Sequence, residues 1–469
     1  MLYLKIQYLC ENLLTLPLLK TISGIRGTIG GKPGENLTPQ DIVECTAAFG
    51  SWLLQNGNTP KIVVGRDGRI SGPNVSQLAV QTLIALGFEV IDLGLSTTPT
   101  VEMAVPRHGA GGGIIFTASH NPAEWNALKL LNKYGEFISA EDGKDFLKIL
   151  EQGEISYASV LDLGHYLKDE IALDYHLNSI LELPEVLLQS VKIRKFRVVV
   201  DAVNSTGAIA VPNLLERMGC EVILLNGEIH GHFAHNPEPL PEHLHELQTA
   251  VQFYRADLGI AVDPDVDRLA IVCEDGSFFG EEYTLVSIAD YMLSLNPGNT
   301  VSNLSSSRAL RDVTLARGGT YYAAAVGEVN VVQMMKSVGA VIGGEGNGGI
   351  IVPHLHFGRD ALAGIALFLS QLAESGKTVS ALRKGYPEYY MVKDKITLAP
   401  NTDMENLLNR VHSTFMHEQC NTVDGLKIDF PDGWVHLRRS NTEPIIRIYA
   451  EGRSPEQAAE LVEMIKKAM

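Results

Sequence analysis

Four short segments of the 469-residue chain combine residue types that do chemistry at spacings that let them act together. In Gly111-Gly-Gly-Ile-Ile-Phe-Thr117-Ala118-Ser119-His120-Asn121-Pro122, a glycine-rich approach and a short apolar run lead into a turn closed by Asn-Pro. Such a turn presents the Ser119 hydroxyl at the tip of a strand, the end at which open α/β sheets bind ligands. An isolated serine in a polar turn is usually only a turn residue. The flanking glycines, the adjacent His120 and the downstream Lys129 shift the reading toward an active hydroxyl. In Asp263-Pro-Asp265-Val-Asp267-Arg268, three alternating carboxylates lie between the apolar runs LGIAV and LAIV, where they can converge on a hard cation such as Mg²⁺. The same spacing fills the first odd positions of a calcium loop, but Arg268 stands where that loop requires glycine and Leu269 to Cys273 continue as a strand, which excludes an EF-hand. An aspartyl-nucleophile phosphatase is a nearer competitor, weakened by Asp267 in place of its Thr or Val. A purely structural acidic turn is disfavoured, because adjacent uncompensated carboxylates repel one another.

The third segment, residues 343–349, places five glycines around Glu345 and Asn347. Glycines let backbone approach a ligand closely, and an acceptor and a donor two residues apart suit vicinal sugar hydroxyls. The bland alternative is a glycine hairpin. A dinucleotide loop would need a helix next, whereas this segment runs into Ile350-Ile-Val. The fourth, Arg438-Arg439-Ser440-Asn441-Thr442-Glu443-Pro444-Ile-Ile-Arg447, offers guanidinium forks, hydroxyls and backbone amides suited to a phosphate dianion. Two lesser segments accompany these. Arg26 lies between glycines in Gly24-Ile-Arg26-Gly27, and Arg66-Asp67-Gly68-Arg69 reads as an architectural turn with an internal Arg–Asp pair.

The elements that must hold these loops recur along the chain. Lys61 to Gly65 reads as a strand, SQLAVQTLIALG as a helix and Phe88 to Asp92 as a second strand. Arg197 to Asp201, Ala208 to Met218 and Gly219 to Leu225 repeat that order, and a weaker copy runs from Asn299 through a helix at Arg308 to Ala316 and on to Gly319. Gly87-Phe-Glu-Val-Ile and Gly219-Cys-Glu-Val-Ile look like one element used twice. Strands alternating with helices imply βαβ crossovers and mainly parallel sheets. Beyond Met391 the order becomes strand, helix, strands, helix, that of a small α+β domain. The expected domains are 21–175, 176–280, 281–390 and 391–469, after a leader at 1–20. That leader is apolar, but Lys5, Glu11 and Lys20 interrupt it and no cleavage site follows, so a non-essential leader before a short first strand is expected instead of a signal peptide.

Hydrophobic residues at 45% and charged residues at 20% argue against disorder, and this length can bury several cores. A net charge of −17 repels nucleic acid and anionic membrane, so neither is expected as a partner. It does not forbid an anionic substrate in a cleft lined by arginines. Five scattered cysteines show no zinc or disulfide spacing, which points to reduced thiols and a cytoplasmic location. No apolar run reaches the length of a spanning helix.

TASHNP, DPDVDR, GEGNGG and RRSNTEP, in that order and joined by Gly-Ile-Arg-Gly, Gly-Arg-Asp-Gly-Arg-Ile-Ser-Gly and Phe233-Ala-His-Asn-Pro-Glu-Pro239, resemble the motifs of the α-D-phosphohexomutase superfamily. The likeness covers residues 21–469, and the GEGNGG form resembles most the archaeal-type phosphoglucosamine mutases. The resemblance implies three related α/β domains with mixed, largely parallel sheets and a C-terminal α+β domain around a central cleft. It implies that Ser119 is a phosphoserine, and that Asp263, Asp265 and Asp267 hold Mg²⁺ together with a phosphoserine oxygen. It implies that Glu345 and Asn347 read the sugar, that Arg438, Ser440, Asn441, Thr442 and Arg447 hold the non-reacting phosphate, and that Arg26, His120, Lys129 and Arg268 line the reacting centre. The implied reaction interconverts hexose 6-phosphate and hexose 1-phosphate, glucosamine phosphate first among substrates, with a hexose 1,6-bisphosphate as intermediate and activator. Glucose or mannose phosphates are the alternative, and a Mg²⁺ phosphatase or a non-catalytic sugar-phosphate sensor the remote ones. Monomer and dimer both stay open. Two departures stand out: Asn347 and Gly349 occupy positions where many relatives have Ser and His, which leaves the general base among His120, Lys129, His354 and His356.

Overall fold

β-Branched runs form the central strands, and amphipathic helices cover them. The computed structural model describes residues 18–21, 24–397, 404–439 and 445–469; the expected leader falls almost wholly outside these. The described residues form two compact units. One runs to Asp174 and includes 203–206 and 228–238; the other contains 175–202, 207–227 and 239 onward.

The first unit is built on seven strands: β1 (Leu19–Thr21), β2 (Gly24–Thr28), β3 (Lys61–Arg66), β4 (Glu89–Leu95), β5 (Gly112–Phe116), β6 (Trp125–Leu131) and β7 (His165–Lys168). They lie in the order β1-β2-β6-β5-β3-β4-β7. β3 is parallel to β4 and β5, and β4 to β7, while β6 runs antiparallel between β5 and β2. The helix Pro39–Gln55 shows why the cover forms. Thr38 Oγ1 accepts from the Asp41 amide, the Asp41 carboxylate accepts from the Thr38 amide, and Ile42, Cys45, Phe49, Trp52 and Leu53 form a buried stripe at helical spacing.

The second unit carries three sheets. Arg197–Asp201 (β8), Glu221–Leu225 (β9), Leu258–Val262 (β10) and Leu269–Cys273 (β11) form one, in the order β11-β10-β8-β9. Asn299–Asn303 (β12), Tyr321–Ala324 (β13), Ala340–Glu345 (β14) and Gly349–Ile351 (β15) form the next, in the order β13-β12-β14-β15. Each has a parallel core and one antiparallel edge strand. The repeat legible in the sequence is physical: Gly87, Gly219 and Gly318 all have positive φ just past a helix and just before the parallel strands β4, β9 and β13. Tyr390–Thr397 (β16), Gln419–Asn421 (β17), Leu426–Phe430 (β18), Gly433–Arg439 (β19) and Ile445–Gly452 (β20) make an antiparallel sheet. The helices Met404–Thr414 and Pro455–Ala468 pack on it through Val411, Val462 and Ile465.

Among the described residues no helix is long and apolar enough to cross a membrane. The described cysteines are free, and burial pushes the Cys273 thiol up to about 11 and Cys220 to about 12, which removes both as nucleophiles at neutral pH.

Two buried groups latch the last sheet to the one before it. Arg308 donates to Asp429 and to the carbonyls of Phe430, Pro431 and Gly433 at 2.6–3.0 Å, so one side chain satisfies a whole turn. His436 is fully buried, with Nε2 2.7 Å from the Asp424 carbonyl and Nδ1 2.9 Å from Ser305 Oγ. A carbonyl only accepts, so Nε2 carries the proton and Nδ1 accepts from the serine. Burial pushes the imidazole pKa down to about 4, against 6.5 unfolded. The unfolded chain therefore binds the proton more tightly, and this contribution to stability is complete above about pH 6.5 and lost as pH falls toward 4. Urea unfolding between those values is expected to weaken by up to about 1.4 kcal/mol per pH unit, and His436→Gln to flatten that slope. An unchanged slope in the variant would assign the acid limb to another group.

Candidate active site

The serine turn in the first unit is set by Arg69. Its Nε meets Asp67 at 2.9 Å, and its two terminal nitrogens donate to the carbonyls of Ser119, Asn121, Pro122 and Trp125. Thr117 Oγ1 donates to Asp67 at 2.7 Å and accepts from the Ser119 amide at 2.9 Å. These bonds hold Ser119 at φ +50°, a left-handed conformation that costs a non-glycine residue about 1–2 kcal/mol. The expected Arg–Asp pair is present, fully buried, and it clamps the turn. Residues 203–206 and 228–238 support it: the Gly68 amide donates to Ser205 Oγ at 2.9 Å, and Phe233 stacks on Arg69 at 5.1 Å.

His120 Nδ1 lies 3.4 Å from Ser119 Oγ. Arg26 Nη1 lies 3.4 Å from Asn121 Oδ1, and burial pulls its pKa below the ordinary arginine value. Arg26 is paired with Ala127 and Gly24 with Lys129, so the Arg26 and Lys129 side chains share one face of the sheet. Gly24 is needed there: its φ is +134°, and a Cβ would fall on the Leu128 carbonyl. The structure thus gathers Ser119, His120 and Arg26, with Lys129 one strand over and its ammonium 5.6 Å from the Phe137 ring centroid.

In the second unit Asp263, Asp265 and Asp267 occupy the turn from β10 to β11, all fully buried, with one oxygen from each within 4.8 Å of the others. Asp263 Oδ1 accepts from the amides of Asp267 and Arg268 at 3.1 Å. That closure drives Val266 to φ +62°, strained for a β-branched residue. Three convergent hard oxygen donors fit a divalent cation such as Mg²⁺. Arg268 is buried beside them, Nε 4.0 Å from Asp267.

The glycine loop is the tight antiparallel turn between β14 and β15, and it touches the acidic turn through the Leu269 amide on the Gly348 carbonyl, 3.0 Å. Glu345 is buried and accepts from Asn303 Nδ2 at 2.9 Å; Asn347 Oδ1 accepts from the Gly349 amide at 3.2 Å, which leaves its NH₂ as the group that donates. Sequence reasoning missed Arg359. Its guanidinium joins Asp267 at 2.6 Å, Glu345 at 3.1 Å and Glu328 at 3.0 Å. Nearby carboxylates raise its pKa well above the usual value against the pull of desolvation. An arginine followed by an aspartate just before the apolar helix Ala361–Ser375 was the available signal.

Two of the four candidate bases are engaged elsewhere in this unit. His354 faces Glu185 at 3.3 Å, and His356 faces Asp360 at 3.3 Å. Asp360 also meets buried His176 at 2.8 Å and caps the helix Ala361–Ser375. These bonds and the basic neighbours lower its pKa despite burial. On the C-terminal sheet Arg438 stands directly opposite Arg447, two like charges in register, with Asp424 3.3 Å from Arg438. Like charges paired across strands are costly unless an anion offsets them. Ser440, Asn441 and Thr442 lie outside the described residues.

Family models described as phosphoglucomutase/phosphomannomutase alpha/beta/alpha domains I, II and III and C-terminal domain match residues 18–155, 174–276, 280–390 and 391–468. The chain is 36% identical over 443 residues, 94% of this chain and 95% of the relative, to a probable phosphoglucosamine mutase of Methanopyrus kandleri. It is 35% identical over 445 residues, 93% and 96% of the two chains, to a phosphoglucomutase/phosphomannomutase of Thermococcus kodakarensis. Among solved structures, a phosphoglucomutase/phosphomannomutase family protein of Burkholderia thailandensis aligns over 95% of each chain with TM-score 0.83 at 26% identity.

The clamp on the serine turn is testable without any substrate. Arg69→Met removes the cation beside the buried Asp67 carboxylate and the donors to four turn carbonyls, and is expected to cost about 3–5 kcal/mol in denaturant unfolding. A loss under about 1 kcal/mol would mean the turn holds its shape without the guanidinium.

Proposed function

The chain belongs to the phosphoglucomutase/phosphomannomutase family and is a phosphohexomutase, an isomerase that moves a phosphoryl group between two positions of a hexose; on that premise we propose that glucosamine 6-phosphate and glucosamine 1-phosphate are its preferred pair. The observation that carries the choice is charge. Around the glycine loop lie five buried carboxylates, Asp263, Asp265, Asp267, Glu328 and Glu345, with the guanidinium groups of Arg268 and Arg359 among them. A divalent cation in the triad leaves a negative charge over, which favours a sugar bearing an ammonium over one bearing a hydroxyl.

In this reading Ser119 carries the phosphoryl group. The P–O bond to Ser119 breaks as one forms to a sugar hydroxyl, whose proton leaves, giving a hexose 1,6-bisphosphate. The other phosphoryl group then returns to Ser119, and the same bisphosphate serves as activator by phosphorylating the serine. His120, 3.4 Å from Ser119 Oγ, and Lys129, on the sheet face it shares with Arg26, are the proton carriers in this reading. Arg26 offsets charge on the group in flight. Asp263, Asp265 and Asp267 are the residues that would hold Mg²⁺, which when bound supplies further neutralisation. Glu345 and Asn347 read the hydroxyls, and Arg438 and Arg447 with residues 440–442 grip the phosphate that is not reacting.

Two measurements test this. Ser119→Ala is expected to keep the fold and Mg²⁺ binding and to lose at least about a thousandfold in turnover, read in a coupled assay; near-normal activity removes the phosphoserine. Competition of glucosamine, glucose and mannose phosphates on phosphorylated enzyme is expected to give a kcat/KM preference of about a hundredfold or more for the amino sugar, ~2.7 kcal/mol. Equal values would show that the loop reads only shared hydroxyls.

A further inference from the structure

We propose that Arg359 is a positioning residue that locks the metal-turn carboxylate Asp267 and the sugar-loop carboxylate Glu345 into one register, so that cation binding and sugar binding are set by the same guanidinium. The role rests on the reading just given, in which Asp267 faces the cation and Glu345 the sugar.

Four bonds fix Arg359 itself. Its amide donates to Glu328 Oε1 at 3.0 Å and its Nε to Glu328 Oε2 at 3.0 Å, so one carboxylate holds both ends of the residue. Nη1 then reaches Glu345 at 3.1 Å and Nη2 reaches Asp267 at 2.6 Å. A planar fork cannot swing toward one acceptor without leaving the other, so the spacing of the two carboxylates is held rigid. The next two residues add to this: the Asp360 amide donates to the Ile350 carbonyl at 2.8 Å, and the Ala361 amide to the Val266 carbonyl at 3.2 Å. The segment is thus stitched to the strand after the glycine loop and to the strained residue of the acidic turn.

Gly349 supplies an independent observation. A Cβ built there would fall on Cδ of Arg359. The glycine is therefore required not by its own backbone but by the arginine, which occupies the space any side chain at 349 would need. Arg359 directs its side-chain bonds to carboxylates of its own unit. It sets where the two carboxylates stand before either ligand arrives, which is the task of groups that orient metal and substrate ligands.

The test uses the phosphorylated full-length enzyme and its fastest hexose phosphate. Half-saturating Mg²⁺, KM and kcat are measured for Arg359→Lys and Gly349→Ala, with melting temperature as the folding control. Lysine keeps the charge but has no fork, and alanine at 349 keeps Arg359 but displaces it. Both variants are expected to raise half-saturating Mg²⁺ and KM together, by about tenfold or more. A structural role alone would lower the melting temperature and kcat and leave both half-saturation values at wild type; that result, or movement of only one of the two, overturns the proposal. Should Arg359→Lys fail to fold, Gly349→Ala decides on the same criteria. Asp267→Asn and Glu345→Gln separate the two levels. If these leave the Mg²⁺ requirement and KM unchanged, it is the assignment of the cation and sugar carboxylates that falls, and the role of Arg359 with it.

Discussion

Five carboxylates gathered inside one compact unit repel each other, and the arrangement persists because Arg359 is inserted among three of them. Burial alone would favour protonating the acids or expelling them. The guanidinium stays charged at every relevant pH and presents several donors in a fixed plane, so it neutralises and orients at once. Asp267, Glu345 and Glu328 each gain a bond of 2.6–3.1 Å, and the turn between β10 and β11 is held against the turn between β14 and β15. Those turns come from different sheets, so the order of the site depends on this contact more than on either loop.

The other recurring device is stored backbone strain with a dedicated restraint. Ser119 and Val266 both adopt left-handed conformations, at φ +50° and +62°. At Ser119 the restraint is cationic: Arg69 collects carbonyls from residues 119 to 125. At Val266 it is anionic: Asp263 collects the amides that follow. In each case an ionised side chain satisfies backbone groups that a tight turn leaves without regular partners, and its desolvation is offset by those bonds. The turn is thereby fixed before a ligand binds, which spares the reaction the cost of ordering it.

The strand and helix repeats, the strand-to-strand turn at Asp263 to Arg268 and the α+β order of the last eighty or so residues were all legible in the chain. Continuous apolar β-branched runs and helical apolar stripes are local properties, and Gly87, Gly219 and Gly318 mark the same helix-to-strand step each time. The candidate loops stood out as motifs because their chemistry is concentrated in short segments. The convergence of the three aspartates followed from their spacing on one tight turn, and the face shared by Arg26 and Lys129 from strand pairing.

What the chain alone determined, then, is the set of elements and the chemical type of each loop, since both depend on residues near one another in sequence. Tertiary structure alone decided the partners. Arg359 is 92 positions from Asp267 and 31 from Glu328, and Arg308 lies more than 120 positions from the turn it satisfies. The local sequence hints at a helix start after Arg359 but names no partner for either arginine; only folding removes the water and brings the carboxylates and carbonyls to them. Gly349 makes the same point in reverse. Its neighbours in sequence suggest a flexible turn, but the reason for the missing side chain is an arginine ten residues on, whose path through the fold leaves no room for one.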